Sequence, residues 1–146
     1  MPTHAEQRLL PYSPEEIFDV VADVDRYAEF LPWCRASRVT RRDGDTIYAD
    51  LVIGFRMVRE RMSSRVTLKR PEAIDVQYLK GPMRYLDNHW RFEARPNGAC
   101  LVDFHIDFEF RSALMQRLIG VLFNEAVRRM ITAFEARARA VYGSRE

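Results

Sequence analysis

Between residues 46 and 110 of this 146-residue chain apolar side chains recur at every second position, and after Ser112 the period changes to 3.6 and holds to Gly143. A period of two places alternate side chains on opposite faces of a strand, whereas 3.6 gathers them on one stripe of a helix. The pattern therefore predicts a half-buried antiparallel sheet followed by one long helix. Ile47, Ala49, Leu51, Ile53 and Phe55 alternate with Tyr48, Asp50, Val52, Gly54 and Arg56, and Met62, Ser64, Val66 and Leu68 with Arg61, Ser63, Arg65, Thr67 and Lys69. Ile74, Val76 and Tyr78 continue the series, as do Leu86, Asn88, Trp90 and Phe92. Its clearest member is Cys100, Val102, Phe104, Ile106, Phe108 and Phe110 against Leu101, Asp103, His105, Asp107 and Glu109. Asp43-Gly44, Arg70-Pro71 and Asn97-Gly98 supply turn chemistry between successive runs. A meander of six strands is expected, with a seventh from His4 to Leu10.

Ser13-Pro14-Glu15-Glu16 combines an N-cap serine, proline at the first helical position and an acid three residues after the cap, so a helix starts there. Ile17, Val20, Val21 and Val24 keep helical spacing. Asp23 or Asp25 is placed to cap a second short helix carrying Tyr27, Phe30 and Leu31, which Pro32 stops. On the C-terminal helix of roughly eight turns, at ~3.6 residues each, Leu122, Phe123, Ala126, Val127, Met130, Ile131, Phe134, Ala138 and Val141 share one half of the wheel. Glu125, Arg128, Thr132, Glu135 and Arg139 take the other. Leu114, Leu118 and Val121 fall off that stripe. Either Gly120 marks a kink that returns them to the core, or they form an apolar rim that meets a membrane or partner.

Hydrophobic residues make up 47% and charged residues 30% of the chain, the composition of an ordinary folded domain, and 146 residues fit one domain with one core. No apolar run approaches the ~20 residues of a spanning helix. The first residues resemble neither a secretory signal nor a transit peptide, which makes the cytoplasm the expected location. Cys34 and Cys100 form no CxxC pair and are expected as reduced thiols. A net charge of +2 gives no argument for DNA binding. Arg56, Arg59, Arg61, Arg65, Lys69 and Arg70 nevertheless cluster along one hairpin, which reads as a solvated face or as a contact for an anionic surface.

GxSxG, P-loop, GxGxxG and HExxH motifs are absent, and each of those chemistries depends on its spacing. His105 between Asp103 and Asp107 has the residue types of a metal site, but three ligands on one outward strand face read more simply as a solvated polar row. His89 between Asp87 and Arg91 reads likewise, and His4 lies near the terminus. No catalytic or metal-ligating set emerges. The apolar run Ala28-Glu29-Phe30-Leu31-Pro32-Trp33-Cys34 suggests instead the lining of a cavity.

On Pro11-Tyr12-Ser13-Pro14-Glu15, the stretch from Tyr27 to Cys34, Lys80-Gly81-Pro82-Met83 ahead of Trp90-Arg91-Phe92, and the strand from Val102 to Phe110, the chain resembles the START-like (helix-grip) superfamily. Within it, the match is to the coenzyme Q-binding branch that also contains bacterial ribosome-association toxins. Met83 departs from the aromatic that relatives commonly carry after Gly-Pro. The resemblance implies an α+β helix-grip fold over 1–146 as a single domain: a curved seven-stranded antiparallel sheet around a long C-terminal helix, with two short helices after the first strand. It also implies a hydrophobic tunnel for ubiquinone or another isoprenoid lipid, lined by Phe30, Leu31, Trp33, Leu51, Ile53, Val66, Val76, Tyr78, Met83, Leu86, Asn88, Trp90, Phe104, Ile106, Phe108, Leu122, Phe123, Val127 and Met130. The same side chains would serve equally to fill an ordinary core.

The function so implied is a non-catalytic quinone carrier supporting respiratory electron transport, with no cofactor required. Peripheral contact with the inner membrane would run through Leu114, Leu118, Val121 and the arginines Arg56, Arg59, Arg61 and Arg65. A ribosome-binding protein that interferes with subunit association is the first alternative. The second is a polyketide cyclase or aromatase, which needs an acid or base in the tunnel; no inward Asp or Glu is read, and Tyr78 and Asn88 are the polar participants.

Overall fold

Each turn dipeptide reverses the chain beside the strand it has just left, so the six meander strands pair in sequence order, while the first strand of the chain joins the sheet beside the last. The computed structural model describes residues 3–55 and 58–144. It contains β1 (Thr3–Leu10), α1 (Pro14–Ala22), a 3-10 turn over Val24–Glu29, β2 (Cys34–Asp43), β3 (Thr46–Phe55), β4 (Val58–Lys69), β5 (Ala73–Lys80), β6 (Met83–Ala94), β7 (Cys100–Phe110) and α2 (Ala113–Tyr142). The seven strands form one antiparallel sheet in the order β1-β7-β6-β5-β4-β3-β2. Gly44, Asn97 and Gly98 take the positive φ values that the tight turns demand. The curved sheet wraps α2, which lies closest to α1, β7 and β1. This is the expected helix-grip architecture.

The α1 start is a capping box: Glu16 N–H donates to Ser13 Oγ at 3.1 Å and Ser13 N–H to Glu16 Oε1 at 2.9 Å. The second short helix is present as expected, and only its type and its capping differ. It is a 3-10 helix, and the side chain of Asp23 at its start makes no capping bond. The Asp25 carboxylate accepts instead from Val39 N–H at 2.6 Å, beside a register shift in β2, so it ties the turn to the sheet.

Of the two alternatives at Gly120, exposure of the leucines holds. α2 runs unbroken, and Leu114 (65% exposed) and Leu118 (46%) face outward. The inward places of its first turns belong to Met115 and Ile119, which continue the stripe of Phe123, Val127, Met130 and Phe134 at helical spacing. Val141, expected on that stripe, is exposed. Tyr142 takes the inward position there, its hydroxyl donating to Glu16 C=O at 3.3 Å and its ring lying against Tyr12. Tyr12 in turn donates to Gly143 C=O at 2.8 Å, so the motif around Pro11-Tyr12-Ser13 fastens the far end of α2. Cys34 and Cys100 are free and buried, and burial pushes each thiol up to about 11. Arg56 and the side chains of Val121 and Leu122 lie outside the described residues.

Candidate functional site

The inner-face residues of the strands fall into rows that the register sets across the sheet. Ile53 stands opposite Glu60, and Met83 opposite Phe110, at the end where α2 begins. Further in come Leu51 opposite Met62 and Leu86 opposite Phe108, then Ala49, Ser64 and Tyr78 in one row and Ile47, Val66, Val76, Asn88 and Ile106 in the next. The row of Ile74, Trp90 and Phe104 follows. Along α2, Met115, Ile119, Phe123, Val127, Met130 and Phe134 step over the same rows in order.

Helix and sheet do not meet everywhere. Between them lies a cavity of about 250 Å³ whose lining is overwhelmingly apolar. Of the residues expected to line it, Leu31, Trp33, Leu51, Ile53, Val66, Val76, Met83, Leu86, Asn88, Trp90, Phe104, Ile106, Phe108, Phe123, Val127 and Met130 do so. Two do not. Phe30 packs edge-on against Tyr27 and Phe134, with the Arg137 guanidinium 5.1 Å above its ring. Tyr78 is committed to the loop after β5, where its hydroxyl accepts from Met83 N–H at 2.9 Å.

That loop explains the Lys80-Gly81-Pro82-Met83 motif. Gly81 has φ +151°, and a Cβ there would sit 3.0 Å from both the Arg61 carbonyl and the Tyr78 hydroxyl. Arg111 closes the other side, its Nε donating to Met83 C=O and its N–H to Pro82 C=O, both at 3.0 Å.

The structure adds residues that the sequence reading left out of the site: Val24, Tyr27, Ala49, Met62, Ser64, Ile74, Phe110, Met115, Ile119 and Phe134 among them. Most share the parity or stripe of residues already assigned inward. Glu60 also lines the cavity, at its exposed rim. This corrects the reading that no acid faces inward: Glu60 has the parity of Met62 and Ser64, one step nearer the hairpin. The buried polar groups are few. Asn88 Nδ2 donates to His105 C=O at 2.9 Å, Tyr27 donates its hydroxyl to Val21 C=O, and Ser64 Oγ is buried with no partner among the described residues. Burial raises the Tyr27 phenol well above its usual range and keeps it neutral.

The outer face carries the remaining charged candidates. His89 lies between Asp75 (Nδ1, 2.6 Å) and Asp87 (Nε2, 2.9 Å) and stacks on His105, while Asp107 accepts from Thr3 and Tyr85. A polar hollow of about 320 Å³ beside them is lined by Thr67, Asp75, Gln77, Arg84, Asp87 and His89, of which Asp75, Asp87 and His89 already engage one another. Arg59, Arg61 and Arg65 are exposed on this face, with Arg65 bonded to Gln77. Lys69 pairs with Asp75 and Arg70 with Asp19.

Known proteins resemble the chain along its whole length. The ribosome association toxin RatA of Pseudomonas aeruginosa is 35% identical over 144 residues, 98% of this chain and 100% of that protein. The mitochondrial coenzyme Q-binding protein COQ10 homolog B of Xenopus laevis is 35% identical over 147 residues, 98% of this chain and 60% of its own length. Among solved structures, an 18 kDa protein of Caulobacter crescentus superposes with a TM-score of 0.79 at 37% identity, covering 99% of this chain and 100% of that one. An aromatase/cyclase from Streptomyces superposes with a TM-score of 0.83 at 16% identity (96% and 95% covered), which shows a shared fold. The family model described as polyketide cyclase / dehydrase and lipid transport matches residues 10–135. With its sheet gripping one long helix around an apolar cavity, the chain belongs to this family and has its START-like fold.

Proposed function

We propose that the cavity binds the compact head of an isoprenoid quinone such as ubiquinone, or of a similar lipid, and that the protein carries this molecule without converting it. The observation that carries this reading is the apolar space of about 250 Å³ between α2 and the sheet. Its volume lies just under the ~300 Å³ lower end of ligand pockets. It suits a substituted ring with little of its tail. The tail of a long-chain quinone then leaves at the Met115–Ile119 end, where exposed Leu114 and Leu118 occupy the same turns of α2. Burial of a methylene from water yields about 0.8 kcal/mol, but the tail starts in a bilayer and is already out of water, so transfer is close to neutral. Such a site lifts and returns a quinone without trapping it. Peripheral docking through Leu114 and Leu118 belongs to the same proposal; among the described residues no helix is long and apolar enough to cross a membrane. The name of the coenzyme Q-binding relative supports the ligand class.

Organic extraction of freshly purified protein, followed by mass spectrometry and an absorbance scan, tests this. Near-stoichiometric isoprenoid quinone is expected; protein that carries none and takes up none from vesicles refutes the reading.

A ribosome-directed role is the second reading, favoured by the relative matched end to end whose name states ribosome association. The exposed Arg59, Arg61 and Arg65 would be the contact. Cosedimentation with ribosomes that disappears in the triple charge reversal to glutamate would support it over the carrier reading. A cyclase reading rests on the family description and on fold likeness, with Asn88 and rim Glu60 as the polar groups nearest to such a role.

A further inference from the structure

We infer that the Ser64 hydroxyl is the polar anchor of the cavity, bonding to an oxygen on the ligand's head, so that the site selects oxygen-bearing, compact-headed lipids over plain hydrocarbons. This rests on the reading that the cavity takes up a lipid head. Ser64 is 4% exposed and lines the cavity, and its Oγ has no hydrogen-bond partner among the described residues. A buried hydroxyl without a partner is costly, and native structures leave few of them unexplained. The neighbours offer no remedy. Along β4 the adjacent inward residues are Met62 and Val66, and across the sheet Ala49 stands opposite on β3. Tyr78, opposite on β5, has its hydroxyl at the Gly81 loop, where it accepts from Met83 N–H, and makes no bond to Ser64. An inward serine thus breaks the apolar pattern of its strand with no gain inside the protein, as expected where the missing partner is a ligand.

The position is equally specific. The Ser64 row lies between the rim, where Ile53 pairs with Glu60, and the inner row of Ile74 and Trp90. Asn88, 8% exposed and tied through Nδ2 to His105 C=O, occupies the next row two strands away. Two buried polar groups at mid-depth, with apolar rows on either side, match a ring-shaped head bearing carbonyl or hydroxyl oxygens whose tail points toward Met115 and Ile119.

The test compares wild type, Ser64→Ala and Ser64→Thr with two probes, a ubiquinone bearing one isoprene unit and an alkylbenzene of matched length. Binding is read from the emission of the protein's two tryptophans, Trp33 and Trp90, both of which line the cavity. Ser64→Ala should bind the quinone on the order of tenfold more weakly and the alkylbenzene at least as well as wild type. Its ligand-free melting temperature should be unchanged or higher, because an unsatisfied group has been removed. Ser64→Thr, which keeps the hydroxyl, should restore most of the quinone affinity. Equal quinone affinity in wild type and Ser64→Ala would show that solvent is the hydroxyl's only partner; that overturns the anchor and leaves the lipid reading standing. Wild-type protein that binds neither probe overturns both.

Discussion

Replacing Val127 with tryptophan should close the cavity while leaving the fold in place. Val127 is 6% exposed, lies between Phe123 and Met130 on the inward stripe of α2, and lines the cavity. Tryptophan adds seven heavy atoms, which at interior packing density occupy about 80–90 Å³, roughly a third of the 250 Å³ available. What remains is too small for a substituted ring. Overpacking a filled core costs about 1–3 kcal/mol; here the new ring enters a space that is already open, so the lower end applies. At about 3–4 °C per kcal/mol for a domain of this size, the melting temperature should fall only a few degrees. The assay is quinone retained through gel filtration and measured by absorbance of the organic extract, which is independent of the added indole. Retention should drop at least tenfold. Phe104→Trp, from the sheet side of the same space, should act alike. Two cooperatively melting variants that both retain wild-type quinone would refute the placement of the site.

Phe134 contacts the rings of Tyr27, Phe30 and Trp90 at centroid distances of 5.3–5.4 Å. Phe134→Ala should therefore cost about 3–5 kcal/mol in chemical denaturation, and a loss under 1 kcal/mol would show that this cluster does not hold α2 to the 3-10 turn. The double variant Leu114→Asp, Leu118→Asp changes exposed residues and should leave stability within ~0.5 kcal/mol while abolishing flotation with anionic vesicles; undiminished flotation would remove these leucines from the membrane contact. Burial holds the Cys34 and Cys100 thiols at about 11, so the thiolate is about a thousandth of the total at pH 8. Alkylation of the folded protein should be slow and should rise about tenfold per pH unit toward pH 11, and rapid labelling at pH 8 would contradict the burial.

Much of the architecture is local, and the residues state it. Parity along β3 to β7 determines which side chains turn inward, because successive Cβ atoms must alternate across a strand. Ser13 and Glu16 set the start of α1 by satisfying backbone donors within one turn, and Asn97-Gly98 sets a reversal that needs positive φ. The resemblance of the Tyr27–Cys34 and Lys80–Met83 segments to a known superfamily carried the cavity itself, which periodicity alone left indistinguishable from a packed core. Tertiary structure decided the remainder. Met115 and Ile119 displaced Leu114 and Leu118 from the interior because an unbroken helix has one stripe, and its phase depends on where the sheet lies. Tyr78 left the site for the Gly81 loop, Glu60 reached the rim, and Ser64 came to face a space that offers its hydroxyl no partner among the described residues. Periodicity is fixed by bonds between neighbours in the chain, whereas an empty volume depends on the distance between a helix and a sheet that the chain joins only at one end.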